Sequence, residues 1–213
     1  DFKETLENLN DNTTLNIYVN SPGGSVFAAS TMASMLQRAK EKKNIKINAY
    51  VDGLAASAAS FLIMVADEIN MYSNSMLMIH KPMSIAWGNA NDMQKEIDTL
   101  NSIEDNVMIP LYEKKAKCDT EKLKNLIEVE SWLSAKEVDD LFSVNLLSEA
   151  KEGMACLDKN LFKCYKNVPD MFKNIEKKVE EEPKQQEIVD EVQDIDYSYF
   201  DNRLNSLKKE ENK

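Results

Sequence analysis

Residues 53–63 read GLAASAASFLI, in which a glycine and small side chains surround Ser57. The preceding stretch 45–53, IKINAYVDG, predicts a β-strand, and the small-residue run 56–66 predicts a helix. Ser57 would then lie at a helix N-terminus, where backbone N–H groups and the helix dipole stabilise negative charge. Two interpretations follow, a closely packed helix or a nucleophile at a strand-to-helix turn, and these residues alone leave both open.

Strands and helices alternate on either side of this stretch. Further strands are predicted at 14–20, 68–73 and 75–81, and further helices at 25–43, 89–108, 119–127 and 133–142. Pro110 is expected to kink or end the long helix, and Ser134 with Glu137 has the spacing of a capping box. The alternation predicts an α/β fold in which helices pack on parallel strands.

Composition and charge exclude several classes of function. The net charge of −11 argues against a nucleic-acid partner, and no apolar run approaches the length of a membrane span. Three cysteines without metal-type spacing fit a reducing compartment. The opening DFKETLENLN lacks a methionine, which predicts that the sequence begins inside a longer protein.

The end of the chain differs in composition from the rest. The helix and strand pattern fades from about residue 167, and residues 174–213 hold 12 acidic and 7 basic residues, a net charge of −5. Such a charged, Gln-rich stretch, interrupted by Pro183, predicts a disordered or partly helical tail. The predicted domains are therefore a folded part, 1–165, and an acidic low-complexity tail, 166–213.

A second strand-to-helix turn, SPGG at residues 21–24, resembles the first in its position. Its two glycines permit backbone angles closed to other residues, and such a turn can point an N–H at an oxyanion. The other interpretation is an ordinary turn. Both turns follow predicted neighbouring strands, and the carboxyl ends of such strands are where open α/β sheets form their sites.

His80 is the only histidine in the chain, so a serine hydrolase of the usual kind has no other imidazole for its general base. A lone histidine is more often structural. A carboxylate should orient the base, and the candidates are Glu128, Glu130 and Glu137. In so acidic a chain most carboxylates are solvated, and the residues alone barely rank these three.

Taken together, four motifs resemble the Clp protease proteolytic subunit family over roughly residues 6–150. They are YVNSPGGSVFAA, DGLAASAASFLI, MLMIHKP and WLSAKE, in the family's order and with similar spacing. The resemblance implies a ClpP/crotonase-like ββα spiral with a mostly parallel sheet. It also implies a serine endopeptidase that needs no cofactor or metal and works inside an oligomeric ring.

Carried over residue by residue, the resemblance implies Ser57 as nucleophile, His80 as base and Glu130 as acid, with Glu128 as the main rival. The oxyanion donors would be the backbone N–H groups of Gly24 and Ala58. An extended substrate would pair with the backbone of Gly23, Gly24, Ser25 and Val26, as an added strand.

The family usually has Asp as the acid. Glu130 followed by Ser-Trp is more similar to the phage and prophage branch, whose members are capsid (prohead) maturation proteases. Expected partners are further copies of the chain in hexameric or heptameric rings, either single or stacked in pairs through the helix 91–108. Expected substrates are capsid or scaffold proteins, and the expected location is a bacterial or phage-infected cytoplasm. The alternatives are a housekeeping subunit with an AAA+ unfoldase, a catalytically silent scaffold, and an acyl-CoA enzyme of the crotonase fold.

Overall fold

A computed structural model of the chain describes residues 2–148 and 162–170. The helices are α1 (Phe2–Glu7), α2 (Val26–Lys43), α3 (Ala58–Leu62), α4 (Ala90–Ile103), α5 (Ile109–Glu113), α6 (Thr120–Glu128) and α7 (Ala135–Leu141). The strands are β1 (Thr14–Ser21), β2 (Lys46–Ala56), β3 (Glu68–Tyr72), β4 (Met76–Ile79), β5 (Ser131–Ser134) and β6 (Asn145–Leu147). A 3₁₀ turn, Ile63–Val65, follows α3, and a π-helical turn, Glu104–Met108, follows α4.

The strands form one six-stranded sheet centred on β2. β1 pairs with one edge of β2, and the other edge pairs first with β3 and then with β4. All pairs are parallel except β4 with β5. Because β2 changes partner along its length, the sheet curls, and this confirms the predicted ClpP-like α/β fold.

The core lies between the sheet and α2. Every second residue of β2 from Ile47 to Val51 is fully buried. The facing stripe of α2 is built from small residues and Leu36, which is also buried. Small side chains on α2 also allow it to pack closely against α3, the helix that follows Ser57.

β2 is longer than predicted, because the expected strand end at Gly53 is wrong. The strand continues to Ala56, and its register with β1 shifts between Val19 and Ser21. Gly53 lies in the resulting bulge, where the Oδ1 atom of Asn20 accepts a hydrogen bond from the Leu54 N–H at 3.1 Å. An isolated glycine inside a strand commonly marks such a bulge.

The long predicted helix 89–108 ends sooner than expected. α4 stops at Ile103, and α5 begins at Ile109 with Pro110 in its first turn. Proline has no N–H to donate, and its ring crowds the carbonyl of the preceding turn, so the regular helix is interrupted just before it. The break expected at Pro110 is confirmed, and so is the capping box of Ser134 and Glu137.

Other short elements were not predicted at all. The sequence pattern predicts no element at α1 or β6, and the predicted helix 133–142 includes the last two residues of β5. The helix after Ser57 is also shorter than the predicted run 56–66, since α3 covers only five residues before the 3₁₀ turn.

The predicted acidic tail, 166–213, is described only in part. Residues 171–213 lie outside the described residues, so the tail and the boundary after residue 165 stay predictions. Within the described ranges, no helix combines the length and apolar character that crossing a membrane requires.

Candidate active site

Ser57 occupies the sharp turn between β2 and α3. Its backbone angles, φ 53° and ψ −124°, are unusual for a residue with a side chain, and such strain is found mainly where the surrounding structure imposes it. The Ser57 N–H donates to the carbonyl of Met78 in β4 at 2.8 Å, which holds the turn against the neighbouring strand. The Ser57 Oγ lies 2.7 Å from the Nε2 atom of His80.

The turn containing Gly23 packs directly against the Ser57 turn. A Cβ atom on Gly23 would lie 2.6 Å from the Ser57 Cβ, 2.7 Å from the Ala56 carbonyl oxygen and 3.0 Å from the Ala58 nitrogen. Only glycine fits this contact, and the positive φ of 99° at Gly23 also favours glycine. The structure therefore brings together the two turns that contain Gly24 and Ala58.

His80 follows the last residue of β4. Because β4 runs parallel to β2, both strands deliver their next residues to the same end of the sheet. His80 is only 6% exposed. Burial lowers the pKa of His80 below its ordinary value, while the charge of Glu130 acts in the opposite direction. The neutral imidazole, which can accept a proton from a hydroxyl, is thus the stable form at neutral pH.

Glu130 reaches His80 through the antiparallel pairing of β4 with β5. Ser131 of β5 pairs with Ile79 of β4. Because the two strands are antiparallel, Glu130, the residue before Ser131, lies opposite His80, the residue after Ile79. Glu130 lies just after α6 with φ 55°, a left-handed conformation that glycine usually occupies at a helix end. Its side chain is nevertheless buried at the site.

The Glu130 carboxylate is held by three hydrogen-bond donors. The Lys166 N–H donates to both carboxylate oxygens at 2.8 and 2.9 Å, the Asn167 N–H donates at 2.6 Å, and the Trp132 indole N–H donates at 3.3 Å. Burial raises the pKa of Glu130, but these donors and His80 outweigh it and lower the pKa overall. Within the described ranges, no hydrogen bond joins this carboxylate to His80, so the coupling between them is electrostatic.

The two rival carboxylates have other partners. Glu128 is exposed and forms a 2.5 Å ion pair with Lys81, which also lies 3.8 Å from Glu104. Glu137 accepts from Ser134 in the capping box of α7. Neither is opposite His80, so the geometry favours Glu130 among the three candidates.

The predicted substrate-binding residues line an open cleft beside Ser57. Residues 22–25 are irregular rather than a strand, Ser25 caps α2, and Val26 is the first residue of that helix. The cleft has a volume of about 340 Å³ and its walls include Gly24, Ser25 and Val26. A side chain added at Gly24 would meet no atom within 4 Å, so this backbone faces open space.

Sequence reasoning missed the contribution of residues 162–170 to this site. Cys164 and Tyr165 form part of the cleft wall, and the backbone of Lys166 and Asn167 holds Glu130. Trp132 was also missed, although its position two residues after Glu130 could have suggested a shared environment. Main-chain donors leave no signal in side-chain patterns, so nothing in residues 166 and 167 pointed to their role.

Comparison with known proteins identifies the class to which this fold and site belong. Residues 4–141 match the family model described as Clp protease, which is more than half of the chain, and the chain belongs to that family. Among similar proteins is the ATP-dependent Clp protease proteolytic subunit 1 of Prochlorococcus marinus strain MIT 9312. It is 28% identical over 137 residues, which are 63% of this chain and 68% of the relative. The subunit of the same name from Prochlorococcus marinus subsp. pastoris is 28% identical over 137 residues, or 63% and 67% of the two chains.

Proposed function

We propose that the chain is a serine endopeptidase in which Ser57 is the nucleophile, His80 the general base and Glu130 the acid. The observation that carries this proposal is the 2.7 Å contact between Ser57 Oγ and His80 Nε2. It joins the only histidine of the chain to a serine held in a strained turn. That pairing is the usual arrangement of an activated hydroxyl nucleophile.

In the proposed reaction, Ser57 Oγ attacks the carbonyl carbon of the scissile peptide while His80 Nε2 accepts the hydroxyl proton. The oxyanion is held by the N–H groups of Gly24 and Ala58, and the loss of one such donor typically lowers the rate by ~10²–10³-fold. His80 then donates the proton to the departing amine, and water hydrolyses the acyl-enzyme by the same steps. The charge of Glu130 stabilises the imidazolium that forms in between.

The cleft beside Ser57 fits an extended peptide. Its walls combine Gly24, Ser25 and Val26 on one side with apolar side chains, which include Phe61, Met83 and Leu100. We propose that the substrate backbone pairs with residues 23–26 and that an apolar side chain of the substrate enters the cleft.

We further propose that the protein works as an oligomeric ring, hexameric or heptameric, either single or stacked in pairs. None of the 14 residues of α4 is buried in its own chain, although the helix has an apolar stripe that includes Met93, Ile97 and Leu100. The preceding segment exposes Ile85 and Trp87 almost completely, at 99% and 98%. Large exposed apolar surface of this kind is typical of contacts between proteins.

The proposed biological role is maturation of phage or prophage capsids in the bacterial or phage-infected cytoplasm, with capsid or scaffold proteins as substrates. The support is the Glu rather than Asp at position 130 and the long acidic end of the chain. The alternative is a housekeeping subunit that works with an ATP-dependent AAA+ unfoldase. That alternative is favoured by the name that both relatives share, ATP-dependent Clp protease proteolytic subunit 1.

The test is labelling of the protein with a fluorophosphonate, followed by peptide mapping of the modified residue. We expect a single labelled serine, Ser57, and we expect Ser57→Ala to abolish both labelling and peptide hydrolysis while the protein stays folded. Ser34→Ala serves as the matched control, because Ser34 lies on α2 and its hydroxyl donates to the Ser30 carbonyl of its own helix at 3.0 Å. Hydrolysis by Ser57→Ala at the rate of the unmodified protein would refute the proposal.

A further inference from the structure

Residues 162–170, which we call the strap, lie beyond the part of the chain that matches the family, residues 4–141. Two apolar side chains anchor the strap: Phe162 and Val168 are buried, at 5% and 8% exposed. They form a small second core with residues of β2, β4 and β5, which are Leu54, Ala56, Met78 and Trp132. The strap is therefore fixed to the three strands that carry Ser57, His80 and Glu130.

Tyr165 lies between Phe162 and Val168 in the strap and contacts both the turn that contains Gly23 and the His80 ring. Its hydroxyl donates a hydrogen bond to the carbonyl of Pro22 at 2.5 Å. Its ring meets the His80 ring edge-on, with the centroids 5.1 Å apart and an angle of 70° between the planes. The contact with Pro22 ties the turn of Gly23 and Gly24 to the strap.

The other end of the strap holds Glu130 through main-chain groups. The N–H groups of Lys166 and Asn167 donate to its carboxylate, and the Asn167 side-chain amide donates to the Val129 carbonyl at 2.8 Å. Hydrogen bonds from N–H groups to a charged carboxylate are among the stronger ones in proteins. They fix the carboxylate opposite His80 without a cationic side chain that would compete for its charge.

We propose that the strap is a part of the catalytic apparatus, in which Tyr165 is a positioning residue for His80 and for the turn of Gly23 and Gly24, which would supply an oxyanion donor. The inference rests on the proposed function, because positioning has no meaning without a reaction at Ser57. The strap does not act as a plug: the cleft stays open at about 340 Å³, and Tyr165 and Cys164 form its wall. Its contacts go to the groups that must be held still during the reaction.

The experiment compares Tyr165→Phe with Tyr165→Leu in the full chain. The first variant removes only the hydroxyl, so we expect kcat to fall about tenfold, the equivalent of one lost hydrogen bond, with little change in KM. Fluorophosphonate labelling of Ser57 should slow by a similar factor. Tyr72→Phe is the matched control, since it removes a hydroxyl from the end of β3 and should leave both rates unchanged.

The second variant removes the ring as well and separates the two roles of Tyr165. The groups that face His80 are Ser57, Glu130 and Tyr165, while the neighbouring Lys81 is turned to Glu104 and Glu128. Because burial is what lowers the pKa of His80, Tyr165→Leu should raise it and move the acid limb of kcat/KM to higher pH. Tyr165→Phe keeps the ring and should not move that limb.

Several outcomes would overturn the inference. If Tyr165→Phe reacts at the rate of the unmodified protein, the hydroxyl does not position the turn, and if it reacts faster, the strap inhibits rather than assists. Should a Tyr165 variant fail to fold, Asn167→Ala, which removes the amide contact with Val129, must lower kcat several-fold or the inference fails. Absence of Ser57 labelling in the unmodified protein would refute the proposed function itself, whereas normal labelling with an unaffected Tyr165→Phe refutes the strap alone.

Discussion

Replacing Gly23 by alanine should disable the site while altering no group that takes part in the chemistry. The added Cβ would lie 2.6 Å from the Ser57 Cβ and 2.7 Å from the Ala56 carbonyl oxygen. Since carbon atoms pack comfortably at about 3.5–4.0 Å, the two turns must separate by roughly 1 Å. Backbone atoms form most of this contact, so no flexible side chain can swing away to relieve it.

The separation moves Ser57 relative to the predicted oxyanion donors, and this sets the expected size of the effect. A misplacement of about 1 Å commonly costs ~10²-fold in rate, so kcat/KM should fall at least that far. Alanine must also adopt the φ of 99°, and this strain and the overpacking each cost about 1–3 kcal/mol, so together they should lower the free energy of unfolding by about 2–6 kcal/mol. Because folded proteins are stable by ~5–15 kcal/mol, a protein in the upper part of that range still folds with this substitution, and thermal unfolding measures the loss.

The assay combines steady-state hydrolysis of a fluorogenic peptide, fluorophosphonate labelling of Ser57, and thermal unfolding. Gly53→Ala is the matched control. Its added Cβ would have the Asn20 side chain as its nearest neighbour, with Oδ1 at 3.0 Å, Cγ at 3.4 Å and Nδ2 at 3.7 Å, and the backbone angle there is not positive. A folded Gly23→Ala protein that hydrolyses the peptide as fast as Gly53→Ala would show that the contact between the two turns does not control the nucleophile.

Two further predictions concern the acid and the assembly. Activity should fall as the pH drops through the His80 pKa, which burial places below its ordinary value of ~6.5. Glu130→Gln should lower the rate and move this loss of activity to lower pH, because the charge that raises the His80 pKa is removed. Glu128→Gln should do neither, since Glu128 pairs with Lys81, and an equal shift in both variants would contradict the assignment. Trp87→Ser should leave the unfolding temperature of the separated chain unchanged, because the indole is 98% exposed within its own chain. The same substitution should weaken self-association in sedimentation experiments. Association equal to that of the unmodified protein would argue against the surface around Trp87 as a contact between copies.

The sequence predicted the order of the longer strands and helices and the pairing of Ser57 with His80 for identifiable reasons. Alternation and helical periodicity are local properties, so the strands around Ser57 and His80 could be assigned from short windows. The presence of a single histidine then removed any competing choice of base. The error at Gly53 arose because a glycine at a bulge and a glycine at a strand end look alike in sequence.

The choice among the carboxylates depends on information that short windows do not contain. Glu128 and Glu130 differ by two positions, and only the register of β5 against β4 places Glu130 opposite His80. The strand β5 has four residues and begins directly after a helix, so its pairing partner cannot be read from local pattern. The resemblance to the family favoured Glu130 before the structure supplied this geometric reason.

The way in which the strap holds Glu130 bears on how such proteins diverge and how they should be shortened. The groups at positions 166 and 167 that contact the carboxylate are peptide N–H groups, which every residue except proline possesses. Selection can therefore preserve the N–H contacts with the carboxylate while the Lys166 side chain changes, and an alignment scored on residue identity would lose track of this part of the strap in distant homologues. A truncated variant ending at residue 141, where the family match ends, would retain Ser57, His80 and Glu130 yet lose two of the three donors that hold the acid.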